Sequence, residues 1–134
     1  MVDDQAPGES DRPADVKTCP RMWCSAWRAH QSFAPLFLSA WEEARATGMP
    51  VIRPLWLVDP ASATTLHNDD EWLVGSDLLV APVVVQGQVE REVWLPAGCW
   101  RAHGEGPEQT GGAAITVSAP LGVLPWFQRC AGTP

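Results

Sequence analysis

Helical spacing of apolar residues marks the first organised stretch of the chain. Between Arg21 and Gly48, the residues Phe33, Phe37, Ala40, Trp41 and Ala44 fall three and four apart, the seam of an amphipathic helix, with Glu42, Glu43 and Arg45 opposite. Gly48 and Pro50 supply the stop: a left-handed cap, then a residue that cannot continue the helix. Pro35 falls in the first turn or at a kink. The next run, MPVIRPLWLV, is almost wholly apolar and predicts a strand over Pro50–Val58 buried on both faces. Helix, short turn and continuous strand make the αβ half of an α/β repeat, which cannot bury itself alone.

The pattern then changes. DPASATTLHNDDEWLVGSD is loop-like, with one helical turn expected around Asp70–Val74, where acids suit a helix start. From there LLVAPVVV, REVWLP, GCWRAH, AAITVSAP and VLPWFQR are short β-prone runs separated by turn residues, the spacing of an antiparallel sheet. GEGPEQTGG reads as an exposed hairpin loop. At the other end, residues 1–27 begin acidic and proline-bearing without any apolar period, and predict a flexible leader. The expected architecture is mainly β with an α/β N-terminal piece: leader 1–27, helix and strand 28–75, small antiparallel β-sandwich 76–134.

Composition narrows the function. At 134 residues the chain has room for about one ordinary domain. Nine basic against sixteen acidic side chains, net charge −7, make nucleic acid an unsuitable partner. No apolar run approaches the roughly 18 residues of a membrane span, so no membrane partner is expected, and without a visible export signal the simplest location is cytoplasmic. Cys19, Cys24, Cys99 and Cys130 lack metal-finger spacing; their even number would permit disulfides in a secreted protein, but the expected state is free thiols, with no metal and no cofactor.

Candidate chemistry is sparse. His30, His67 and His103 are too scattered for a metal triad. His67, Asn68, Asp69, Asp70 and Glu71 form a polar cluster that reads as a solvated loop or helix cap, or as ligands for a hard cation lacking the spaced loop such ions use. A glycosidase needs two carboxylates on rigid walls of a pocket, and Asp59, Asp69, Asp70 and Asp77 all sit beside turn residues. Ser25, Ser32 and Ser39 lack a nucleophile elbow. Arg53, a charge inside an apolar strand, must find carboxylate or carbonyl partners; it reads as structural, or as a substrate contact at a strand end. With eight Trp and no Tyr, exposed rings such as Trp94, Trp100 or Trp126 would make a face for carbohydrate or a partner protein.

Four motifs in order carry a resemblance: T-G-x-P-V-x-R-P-L from Thr47, D-x-x-x-x-G-x-D-L-L-V-A-P-V from Asp70, L-P-x-G-x-W from Leu95, and A-P-L-G-x-x-P-x-F-x-R from Ala119. As a set they resemble glycoside hydrolase family 31, the α-glucosidase, α-xylosidase and sulfoquinovosidase group, from about Arg28 onward. The resemblance implies the last outer helix and closing strand of a (β/α)₈ catalytic barrel, then the proximal C-terminal β-sandwich. It implies a C-terminal fragment of a retaining α-glycosidase acting on an α-glycoside. The family's catalytic aspartates lie upstream, so no catalytic residue carries over; the substrate-binding residues stay unassigned, and the chain alone is expected to be inert. The alternatives are a non-catalytic β-sandwich binding carbohydrate or a partner protein, and a fragment docking onto a separately encoded barrel. Leu36 stands where an aromatic is common, Cys130 where Ala is usual, and Gly122 resembles the sulfoquinovosidase branch.

Overall fold

The computed structural model describes residues 21–131, with side chains from Trp27 onward. The chain divides into two compact units, Met1–Ala34 and Pro35–Pro134. In the first, residues from Arg21 are helical, including the end of the expected leader, and Ser32 Oγ donates to the Ala29 carbonyl at 2.8 Å. Every described strand lies in the second. No helix among the described residues is long and apolar enough to cross a membrane.

Helix α1 spans Arg21–Thr47 and contains Pro35. It stops as the sequence predicts: Gly48 adopts φ +79°, and its N–H reaches the Ala44 carbonyl at 2.9 Å. The face it buries is a different one. Within the second unit Ala40 is buried and Leu36, Glu43 and Ala44 are half-buried, while Phe37 and Trp41 of the expected seam stay exposed. Two contacts turn the helix this way. Glu43 is drawn to Arg53 at 2.5 Å, and Gly75, where a Cβ would lie 3.2 Å from that of Ala40, lets the backbone come close.

The continuous strand expected over Pro50–Val58 does not form. Strand β1 is only Ile52–Pro54, and the chain then turns into a helical turn, α2, Leu55–Val58. Pro54 has no N–H to extend a ladder, and its φ of −64° suits the residue before a helix. Strand β1 pairs antiparallel with β2, Trp72–Val74, placing Arg53 opposite Leu73. It is thus one edge of an antiparallel sheet, not a stave of a parallel barrel. The helical turn expected near Asp70–Val74 occurs earlier, as α3, Ala63–Leu66, where Thr65 Oγ1 donates to the carbonyls of Asp59 and Ser62 at 2.6 and 2.8 Å. Trp72–Val74 join the sheet because Leu73 and Val74 are taken into the core.

The remaining strands follow the β-prone runs: β3, Leu78–Val80; β4, Glu90–Leu95; β5, Cys99–Ala102; β6, Glu108–Thr110; β7, Ala113–Ser118; β8, Trp126–Arg129. Strand β6 lies in the stretch read as a hairpin loop, recruited by antiparallel pairing with β5. The large sheet runs β1-β2-β3-β8-β5-β6, and β4 pairs with β7 in a second sheet. Leu55, Leu73, Leu79, Ala81, Trp100 and Phe127 meet Val93 and Leu95 of β4 in one core, the filling of a mainly β antiparallel sandwich. Strand β4 shows the alternation this requires, with Arg91, Val93 and Leu95 buried and Glu90 and Glu92 exposed.

Candidate functional site

The phase of β4 puts a guanidinium where an apolar side chain would ordinarily sit. Arg91 is buried, and its charge is met from the loop ahead of β2: Nη2 donates to Asp70 Oδ1 at 2.8 Å and to Glu71 Oε1 at 3.0 Å, while the other guanidinium nitrogens bond the carbonyls of Pro82 and Glu92. Glu71 is also buried, and its carboxylate accepts the main-chain N–H of Trp94. Burial raises the Glu71 carboxyl above its ordinary value, opposed by hydrogen bonding to Asn68, the Arg91 charge and the Trp94 N–H. These groups line a polar pocket of about 310 Å³ with Thr64, His67, Asp69 and Glu92.

The cluster expected as a solvated cap or a cation site therefore has its cation built in. Asp70 and Glu71 share one guanidinium, so they do not stand as an opposed acid and base. Asn68 Oδ1 and Trp94 Nε1, both removed from solvent, have no hydrogen-bond partner among the described residues and border the same pocket. Sequence reasoning passed over Arg91, although its place in the alternation of REVWL was the available signal.

Arg53 is a structural clamp. Its Nε donates to the Pro50 carbonyl at 2.9 Å, Nη1 to Ser76 Oγ at 2.9 Å and Nη2 to Glu43 Oε2 at 2.5 Å, which fastens the end of α1 to the sheet. The other candidates do not converge. Asp59 caps α2, and the Asp77 carbonyl accepts the Arg129 N–H at 2.8 Å. His30 is exposed in the first unit, His67 caps α3, and His103 meets the Trp126 ring edge-on at 5.3 Å. Ser39 borders a small cavity of about 140 Å³ beside Glu43 and Asp77, and the side chain of Ser25, like all of Cys19, lies outside the described residues.

Two expectations are overturned. Trp100 is fully buried, its Nε1 donating to the Pro96 carbonyl at 2.7 Å beneath the Arg129 guanidinium 4.4 Å from the ring, so it offers no binding face; Trp94 and Trp126 are half-buried. Cys99 and Cys130 are not free thiols but a disulfide. They stand directly opposite on β5 and just beyond β8, a proximity that depends on strand register and is invisible in a separation of 31 residues. The exposed apolar surface lies elsewhere, in a groove of about 910 Å³ between the loops 82–89 and 119–124, where Val84, Val85 and Leu121 face solvent.

Residues 48–132 match the family model described as the glycosyl hydrolase family 31 C-terminal domain. The chain is 47% identical over 70 residues to the myogenesis-regulating glycosidase of Mus musculus, covering 52% of this chain and 10% of that protein. Against the sulfoquinovosidase of Agrobacterium fabrum it is 40% identical over 99 residues, 73% of this chain and 15% of that one. A solved GH31 alpha-xylosidase from a soil metagenome, complexed with xylose, superposes with a TM-score of 0.76 at 37% identity, over 83% of this chain and 17% of that chain. The chain thus spans between a tenth and a sixth of these relatives.

Proposed function

Because the chain belongs to glycosyl hydrolase family 31, we propose that it acts as the C-terminal part of a retaining α-glycosidase and is inert on its own. The observation that carries this reading is the match to that family's C-terminal domain across the sandwich. In the proposed whole enzyme an α-glycoside is hydrolysed through a glycosyl-aspartate intermediate, the second carboxyl serving as acid and then as base. Both carboxyls come from outside these residues. The part of α1 from Pro35 to Thr47 is then the last outer helix of a (β/α)₈ barrel, and the sandwich begins near Gly48.

Exposed apolar surface supports this. On α1, Phe37, Leu38 and Trp41 face solvent, as do Val84, Val85 and Leu121 around the groove, apolar surface available for a covering partner. The rest of the enzyme, joined in one chain or separately encoded, would cover them.

Assay of the 134-residue chain against chromogenic α-glucoside, α-xyloside and sulfoquinovoside should give no turnover above buffer; turnover would overturn the reading. A chimera carrying residues 35–134 in place of the matching segment of the soil-metagenome α-xylosidase should retain α-xylosidase activity. A chimera that folds but has lost that activity would equally count against it. Carbohydrate binding by the isolated sandwich is the second reading, favoured by Asn68 Oδ1 and Trp94 Nε1, which have no partner among the described residues, since a sugar hydroxyl both donates and accepts. Saturable quenching of tryptophan fluorescence by oligosaccharides, lost in Asn68→Ala, would establish it.

A further inference from the structure

The pairing of Trp100 with Arg129 makes Cys99 and Cys130 direct cross-strand neighbours, with the Cys130 N–H donating to the Cys99 carbonyl at 2.9 Å. Trp100 points into the core, so its neighbours Cys99 and Arg101 face the opposite side of the sheet. There β6 brings Glu108 opposite Arg101. The two sulfurs and a carboxylate oxygen of Glu108 all lie within 4.8 Å of one another. Strands β5 and β6 and the residue just beyond β8 thus supply three ligand atoms to one spot on the face of the large sheet away from Trp100.

From this juxtaposition we propose that Cys99, Cys130 and Glu108 form a redox-controlled site for a borderline-soft divalent cation of the Zn²⁺ class. A dithiol reductant takes the disulfide to two thiols, becoming a disulfide itself in a two-electron exchange. The cation then binds two thiolates and one carboxylate, releasing two protons, with water completing a tetrahedron. Thiolate ligands exclude Ca²⁺ and Mg²⁺, which take oxygen. The register of β5 and β8 keeps the sulfurs together after reduction, because the ladder is held by main-chain bonds independent of the S–S bond. Arg101 holds Glu108 in the oxidised form, but both side chains are solvent-exposed, so the cation displaces it at little cost. Spacing along the chain gives no hint of such a site; only the sheet assembles it.

The test uses the full chain with Cys19→Ser and Cys24→Ser, which removes the other two cysteines, and Co²⁺ as probe. Reduced anaerobically, this protein should bind one Co²⁺ with an intense near-ultraviolet thiolate-to-cobalt band, release two protons and surrender the metal to Zn²⁺. The oxidised protein should show no band. Glu108→Gln, which leaves the cysteines intact, should weaken Co²⁺ by at least about tenfold, since losing even an outer-shell partner typically costs that much. The proposal is overturned if the reduced protein shows no band, if reduction abolishes its β-type circular dichroism, or if Cys130→Ser binds Co²⁺ as tightly.

Discussion

Arg91 Nη2 and Glu71 Oε1 lie 3.0 Å apart with both side chains almost wholly removed from solvent. A lone buried charge costs far more than a pair, so Arg91→Met should destabilise the domain by about 3–5 kcal/mol, by stranding Glu71. Glu43→Gln, at the 41%-exposed end of the Arg53 clamp, should cost less, because a Gln oxygen can still accept from Arg53 Nη2 and the Pro50 carbonyl and Ser76 Oγ remain. Urea denaturation of the two variants distinguishes them; equal costs would mean that the Arg91 cluster is not buried as described.

The raised pKa of Glu71 carries a definite pH dependence. A carboxyl that holds its proton more tightly in the folded than in the unfolded state contributes fully to stability below the ordinary value of 4.5, and that contribution is lost as pH climbs through the raised value. Wild type should therefore lose stability relative to Glu71→Gln as pH rises from about 4 towards 7. Urea midpoints measured across that range check it, and a difference growing the other way would reverse the assignment.

The β-prone runs were legible because the strands that fill the core obey simple rules. Strand β4 alternates, and β5 and β8 are short β-prone runs between turn residues. Pro50–Val58 was misread because apolar continuity cannot tell a strand from a strand that Pro54 breaks into a helical turn. The α1 seam was misread for a related reason: periodicity locates the apolar stripe, but the clamp between Arg53 and Glu43 decides which side meets the sheet. The candidate site was half legible. Asp70 and Glu71 stood out as a cluster, whereas their partner Arg91 is 20 residues or more away and comes to them only when β4 packs. The Cys99–Cys130 bond depends in the same way on a register that no sequence spacing encodes.

That bond closes a long loop, so reducing it should lower stability by roughly 2–4 kcal/mol, mainly through the freedom regained by the unfolded chain. A domain of ordinary stability survives such a loss. In the Cys19→Ser, Cys24→Ser background, the urea midpoint should fall on reduction while β-type circular dichroism in water is retained. An unchanged midpoint would mean that the bond does not form in solution.

Two adjacent glycines between β6 and β7 separate close packing from backbone strain. Gly111 donates its N–H to the Gly98 carbonyl at 2.7 Å, and a Cβ there would collide with the Pro96 carbonyl and come within 2.9 Å of Trp100 Nε1. Gly112 donates to the Leu95 carbonyl at 2.7 Å from a left-handed conformation, φ +87°, with open space around it. Gly112→Ala should cost only the strain of that backbone, about 1–2 kcal/mol. Gly111→Ala must also push apart the Pro96 carbonyl and the Trp100 indole, which are bonded to each other at 2.7 Å at the centre of the sandwich. Its cost should exceed that of Gly112→Ala, and Trp100 fluorescence should shift only in Gly111→Ala. Thermal melts and emission spectra of both variants decide it, and the reverse order would mean that β5 does not approach the β6–β7 turn as closely as described.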